Sequence, residues 1–314
     1  MSRRAEIQVM RKDSSPPMGI SLTTYAELET VVDAFAAGNL NLLILVGSHG
    51  LGKSRVIREA TARRARWIEG TASPFGLYCQ LWRHQNRLLV LDDLDDLYAS
   101  REGVRLLKCL TQTDPIKTVS WHTDAPTLLR DHIPQEFQTT SRVAIITNEW
   151  KTATRHVAAL QDRGHLVIFA PGALEVHRRT AEWFWDQEIF DFIGTRLHLM
   201  REASMRHYLA AWELKQAGMD WRRLVLSRCL SGKALLVAQL KASPDYTSEA
   251  HRVRAFIASG GGSRATYFNL AKRLQAHVET APSIRLTSAP PAPRDPDPDW
   301  LRILRKWRGH IGDN

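Results

Sequence analysis

The chain has 314 residues, 44% hydrophobic and 24% charged, which excludes a disordered or fibrous polymer and allows one large core with one or two small domains. A formal net charge of +10 points to an acidic partner, with nucleic acid first among them; the plainer alternative is a basic soluble protein. Cys79, Cys109 and Cys229 fit no metal-ligand spacing, no apolar run approaches the about 20 residues of a membrane helix, and the polar, basic start lacks a signal-peptide core, so a cytoplasmic protein without membrane contact is expected.

In chain order, residues 1–22 carry SSPP and read as a mobile arm. TYAELETVVDAFAAGN has helical apolar spacing and stops at Gly38-Asn39. NLLILVG is a continuous apolar run, the pattern of a strand buried on both faces. A basic helix, SRVIREATARRAR, and a short strand, WIEGTA, precede SPFGLYCQLWRHQ. LLVLDD, SRVAIITNEW and HLVIFAP are the remaining strand-like runs, and their alternation with helices predicts a parallel sheet covered on both faces. After Pro171 the strand signals stop. Residues 175–230 read as helical, and 249–277 as two helices separated by SGGGS. TSAPPAPRDPDPD is a Pro-rich linker leading to the basic amphipathic segment WLRILRKWRGH.

The chemistry concentrates after the first buried strand, where GSHGLGKS matches the phosphate-loop pattern G-x-x-x-x-G-K-[ST] in full. Gly47, Gly50 and Gly52 let the backbone turn tightly and aim amides at phosphate oxygens. Lys53 is expected to reach the β- and γ-phosphates of ATP, and the Ser54 hydroxyl to ligate Mg²⁺. The helix that follows adds a favourable field for anions. The nucleotide-contact set is therefore Gly47, Ser48, His49, Gly50, Leu51, Gly52, Lys53, Ser54 and Arg55. A neighbouring parallel strand should supply a Walker-B carboxylate to the Mg²⁺ shell, and Asp92, directly after LLVL, is placed for it. Asp93 then stands where a general base polarises the attacking water. Asp95 and Asp96 read as solvated charges or a helix cap.

Over roughly Asn39–Leu214 the chain resembles an AAA+ ATPase. The resemblance implies an αβα P-loop core with a parallel sheet, an all-helical lid, and a small C-terminal helical, winged-helix-like domain. It makes Asn148, in AIITNEW, the sensor-1 residue that positions the lytic water. It makes Arg163, in ALQDRGHLVIF, an arginine finger acting in trans, a surface helix-terminal arginine being the alternative, and Arg206, in SMRHYLAAWELKQAG, a sensor-2 phosphate contact, with a plain lid salt bridge as the alternative. The family usually has Glu after the Walker-B aspartate, and Asp93 departs from that pattern. The organisation expected is an arm over 1–22, a nucleotide-binding core over 23–172, a lid over 173–230, a helix-turn-helix or winged-helix-like module over 231–285, and a linker and tail over 286–314.

Polymer contacts are expected at three places. SPFGLYC, with Phe75 and Gly76, resembles an aromatic-glycine pore loop, although a packed Phe75 is the even alternative. KTVSWHTD, with Lys117, Trp121 and His122, resembles the DNA-contacting hairpin of viral superfamily 3 helicases, a buried Trp being the alternative. RVRAFIASGGGSRATYFNLAKRLQ predicts a helix, a Gly-rich turn and a second helix capped by Ser263, with Arg264, Tyr267, Lys272 and Arg273 suited to phosphate and base-edge contacts. ETAPSIRLTSA is a possible wing, and a plain helical bundle with a solvated basic face is the alternative. The layout resembles Holliday-junction branch-migration helicases. The leading expectation is a ring-forming motor, hexameric by the family resemblance, acting on DNA as helicase, translocase or loader. A protein-remodelling chaperone with a polypeptide partner, and a slow ATP-dependent switch on DNA, are the competing readings.

Overall fold

The computed structural model describes residues 19–94, 97, 100–150, 160–200, 202–275, 284–287 and 289. Asp95, Asp96, most of the expected N-terminal arm, the Pro-rich linker and the WLRILRKWRGH tail lie outside the described residues. The chain divides into two compact units, Met1–Pro171 and Gly172–Asn314.

The first unit is built on a six-stranded parallel sheet in the order β1-β8-β2-β7-β4-β3. Its strands are β1 Ile20–Leu22, β2 Leu42–Val46, β3 Ala65–Glu69, β4 Leu88–Asp92, β7 Arg142–Thr147 and β8 His165–Phe169. The central strands are apolar throughout because each faces helices on both sides: Leu42 to Leu45, Leu89 to Leu91 and Val143 to Ile146 are all buried. The α/β fold expected from the alternation is therefore observed. The end of the expected arm differs, since Ile20–Leu22 pairs with β8 as an edge strand. Only Leu22 of the three is buried, so apolar patterning gave no cue to it.

Helix α1, Tyr25–Ala36, starts at a capping box: Thr24 Oγ1 accepts from the Glu27 amide, and Glu27 accepts from the Thr24 amide. Helices α2 Lys53–Thr61, α3 Pro74–Arg83, α4 Arg101–Leu110 and the short α5 Pro126–Arg130 complete the described layers of this unit. A two-stranded antiparallel sheet, β5 Lys117–Ser120 with β6 Glu136–Thr139, precedes β7. Its inward residues Val119 and Phe137 join the core formed by Leu77, Tyr78, Leu107 and Ile145.

The described part of the second unit is helical: α6 Ala173–Ala181, α7 Gln187–Gly194, α8 Arg206–Gln216, α9 Trp221–Cys229, α10 Gly232–Ala242, α11 Glu249–Ala258 and α12 Arg264–Gln275. It holds two clusters. Phe184, Ile189, Phe190, Tyr208, Trp221 and Val225 form one, and Val237, Leu240, Val253, Phe256, Tyr267 and Ala271 the other. In the first, His177 is buried against Phe190, with ring centroids 3.8 Å apart, and its Nδ1 lies 2.8 Å from the Tyr208 hydroxyl. Burial pushes its pKa down to about 4.

The turn between α11 and α12 needs its glycines. Gly260 and Gly262 have φ of 74° and 113°, and a Cβ on Gly261 would collide with the Phe256 ring. The Ser263 cap of α12 is present, its Oγ accepting from the Thr266 amide at 3.2 Å. Most of the expected wing, residues 279–283 and 288, lies outside the described residues. Ile284 and Leu286 pack on the first cluster, and Gln187 brackets them, donating to the Ile284 carbonyl and accepting from the Leu286 amide. Among the described residues no helix is long and apolar enough to cross a membrane.

Candidate nucleotide site

The site grows from the strand order. β7 lies between β2 and β4, so the loop after β2 and the acidic pair after β4 flank the end of β7, where Asn148 stands. The apolar runs do not reveal that interposed strand, and it decides the chemistry. Lys53 Nζ donates to Asn148 Oδ1 at 3.2 Å, and Asn148 Nδ2 donates to Asp93 Oδ1 at 3.0 Å. Three sequence-chosen residues from three segments thus form one hydrogen-bonded chain.

The loop has the geometry that its sequence requires. Gly50 and Gly52 have φ of 72° and 74°, which only glycine adopts at little cost, and such a turn aims successive amides into one concavity. A Cβ on Gly47 would sit 2.6 Å from the Phe169 carbonyl oxygen, so only glycine lets the loop pass the end of β8. Lys53 is 6% exposed and folds back onto its own loop, donating to the carbonyls of Gly47 at 2.6 Å and Ser48 at 2.9 Å. Leu51 is buried, and its carbonyl accepts from the Tyr25 hydroxyl at 2.9 Å. Tyr25 packs edge-on against Phe169, 5.1 Å between centroids, so α1 and β8 clamp the loop together. Sequence reading missed Tyr25 because a Tyr early in an amphipathic helix reads as core. Ser48, His49 and Arg55 are exposed, with Arg55 ion-paired to Glu59.

Across the sheet, Asp92 closes β4 and is half-buried. Burial raises its pKa; a hydrogen bond with Ser54 opposes that shift, and the charge of Asp93 adds to it. A carboxylate disfavoured as an anion and held beside a hydroxyl is a site that a divalent cation would relieve. Among the described residues no group of three or more His, Cys, Asp or Glu gathers to hold a metal. A hydroxyl with one carboxylate suits Mg²⁺, which shares its coordination with substrate phosphates and water rather than taking an all-protein cage. The residues present therefore fit Mg-ATP: amides and Lys53 for the phosphates, Ser54 and Asp92 for the cation. Asp93 is exposed and sits at φ 54°, an uncommon conformation for a non-glycine residue that Asp tolerates better than most. Its amide donates to the Ile146 carbonyl at 3.1 Å, which fixes that turn. Strained backbone of this kind concentrates at functional positions.

The remaining sequence-chosen residues are distributed differently. Arg163 is exposed just before β8, its Nη1 donating to the Lys108 carbonyl at 3.1 Å. Arg206 is the exposed first residue of α8, in the second unit. Phe75 is corrected: Pro74–Arg83 is a helix, and Phe75 and Gly76 form its first turn instead of a free loop. Its ring is half-buried and lies 5.9 Å from Trp121, which also packs 6.1 Å from Tyr78. Trp121 is therefore part of the core margin.

Lys117 is corrected as well. It is 1% exposed, Nζ donates to the Ser141 carbonyl, and burial with the nearby Arg142 charge pulls its pKa down to about 8. It has no surface to offer a polymer. His122 remains exposed, 3.4 Å from Gln135 Oε1. Tyr267 is 0% exposed and its hydroxyl donates to Glu249 Oε2 at 2.6 Å, so it is a core residue of the C-terminal cluster. Arg264, Lys272 and Arg273 are exposed on α12, with the Arg264 guanidinium 5.5 Å from the exposed ring of Phe268.

The core is a parallel α/β P-loop fold, an assignment that stands on this chain's own strand order and phosphate-loop geometry. No family model matches the chain. An uncharacterized 36.7 kDa protein of Enterobacteria phage T4, from the nrdC-mobD intergenic region, is 31% identical over 120 residues, 35% of this chain and 37% of that protein. The match thus spans little more than a third of the curated relative's length. Among solved structures, a RuvB variant of Thermotoga maritima aligns with a TM-score of 0.40 and 12% identity over 79% of this chain and 86% of its own. A DNA replication initiation factor gives 0.36 and 12% over 82% and 94%, and a Walker-type ATPase of Pyrococcus abyssi 0.37 and 13% over 80% and 89%.

Proposed function

We propose that the chain binds and hydrolyses Mg-ATP at the loop 47–55 and couples this cycle to DNA, as a cytoplasmic helicase, translocase or loader. The observation that supports the reading most is the Lys53–Asn148–Asp93 chain at the end of β7, with Ser54 and Asp92 alongside. When bound, Mg-ATP supplies the phosphoanhydride and the cation that offsets charge on its phosphates. The protein's part is positioning and proton transfer. Loop amides and Lys53 orient the phosphates, Asp93 accepts a proton from water, and the Asn148 amide holds the Asp93 carboxylate in place. Lys53 leaves its carbonyl partners when an anion takes their place, which frees Asn148 Oδ1 for the water. In this reading Arg163 acts in trans in a ring, hexameric by family resemblance, Arg206 contacts phosphate from a lid over 173–230, and the module over 231–285 meets DNA through the exposed face of α12.

One observation favours a slow DNA-bound switch as the second reading. Asp93 is shorter than the usual glutamate and is held in a strained turn. The protein-remodelling reading loses its main support, since Phe75 is packed in a helix. The test is ATP turnover with no polymer, single-stranded DNA, duplex DNA or unfolded protein. Stimulation by DNA is expected; stimulation by unfolded protein alone would overturn the DNA reading, and slow turnover indifferent to tightly bound DNA would favour the switch.

A further inference from the structure

The strand ends that carry the nucleotide loop lie at one end of the sheet. At the other end, where β3 and β4 begin, the core unit gathers cations with little to balance them. Arg66 is the second residue of β3, and its Nη2 donates to the neutral Gln80 of α3 at 3.1 Å while its Nε is buried without a partner. One turn on, α3 ends in Arg83 and caps at His84. Arg87 stands directly before β4. The turn that carries His84 and Arg87 is pinned through Asn86. Its amide donates to Thr139 Oγ1 at 3.2 Å, and its Oδ1 accepts from the Thr140 amide at 2.9 Å and the Thr140 hydroxyl at 3.1 Å. Asn86 takes φ 62° to do so.

Carboxylates are scarce at this face. Asp131 pairs with Arg83 and is shared with Arg130. Among the described residues no carboxylate pairs with Arg66, His84 or Arg87. Burial together with the nearby Arg66, Arg87 and Arg83 charges lowers the His84 pKa, a sign that these groups feel one another. Fixing like charges side by side disfavours folding. Such an arrangement is useful when a polyanion supplies the missing charge.

We propose that Arg66, Arg83, His84 and Arg87 form a contact surface for the phosphodiester backbone of nucleic acid, on the end of the sheet remote from the nucleotide loop. It deepens the DNA reading above and rests on it, while adding a site on the core unit that is separate from α12. Guanidiniums presented from a rigid turn suit phosphate oxygens, which they bind in a forked geometry. The contact is with backbone charge and carries no base preference.

The test is binding of labelled single-stranded and duplex DNA by the full chain across a salt series. Two variants are compared with wild type: His84→Gln/Arg87→Gln, and Arg264→Gln/Lys272→Gln/Arg273→Gln on α12. The first should bind DNA several-fold more weakly at low salt, with the log–log salt slope flatter by about one, since Arg87 carries the charge that is lost. Its melting temperature should equal or exceed that of wild type, because a repulsion has been removed, and ATP turnover without DNA should be unchanged. Wild-type affinity and slope in that variant, with loss confined to the α12 variant, would overturn the surface and leave the DNA reading standing. A lowered melting temperature would assign the cluster to the fold. Absence of DNA binding by wild type at low salt would remove both, and equal, competing binding of inorganic polyphosphate would show charge without nucleic-acid preference.

Discussion

The nucleotide loop and the β5–β6 hairpin each bury a lysine against backbone carbonyls, yet the two regions do different things. Lys53 lies on Gly47 and Ser48, and Lys117 on Ser141. Both belong to the core unit and both are at most 6% exposed. The difference is in the second ring of neighbours. Around Lys53 stand two glycines with positive φ, an amide side chain and the carboxylate of Asp93, so its ammonium has an anion-ready concavity to turn into. Around Lys117 stand the hydroxyls of Thr139 and Ser141 and the repelling charge of Arg142. A buried cation is therefore a functional signal only when its surroundings offer an exchangeable partner.

Five substitutions break or sharpen that contrast. The largest effect is expected for Lys53→Ala, which should lower ATP turnover by about 10³-fold or more in a phosphate-release assay while leaving the melting temperature nearly unchanged. Next, Asp93→Asn should reduce kcat by about 10²-fold with nucleotide affinity retained. Asp93→Glu should then keep or raise kcat; a fall as deep as that of Asn would show that the positive-φ turn is fitted to the shorter acid.

Lys117→Met should leave turnover untouched and raise stability by about 1–2 kcal/mol at pH 7, since it removes a buried cation paired only with a carbonyl. The pH signature follows from the direction of the shift. The folded pKa of about 8 is below the unfolded value of 10.5, so the unfolded chain holds more protons between them. Wild-type stability should accordingly gain on the variant as pH rises through that window, and denaturant melts at pH 7, 9 and 10.5 read it out. The smallest effect is expected for Tyr267→Phe, a loss of about 1 kcal/mol from the broken bond to Glu249 with no change in DNA affinity. Weaker DNA binding at equal stability would return Tyr267 to the interface.

Much of the core was legible in the residues. The fully apolar runs of β2, β4 and β7 could only be strands covered on both faces, and GSHGLGKS is a short-range pattern whose glycines, lysine and hydroxyl act within one loop. Asn148 was legible because it follows the β7 run directly. The interposition of β7 between loop and acidic pair was not, because strand order is a property of long-range packing. Phe75, Trp121, Lys117 and Tyr267 misled for a shared reason: aromatic and long basic side chains serve cores and surfaces alike, and a single sequence does not say which way they point. The three-residue edge strand β1 and the clamp from Tyr25 to Leu51 were invisible for want of any local pattern.

The most direct measurement is a single-turnover experiment with excess wild-type chain, Mg²⁺ and radiolabelled ATP. The Lys53–Asn148–Asp93 assembly predicts that bound ATP is converted to ADP and phosphate, faster with DNA present and not at all in Lys53→Ala. Tight ATP binding with no ADP formed, or product formation that survives Lys53→Ala, would contradict it.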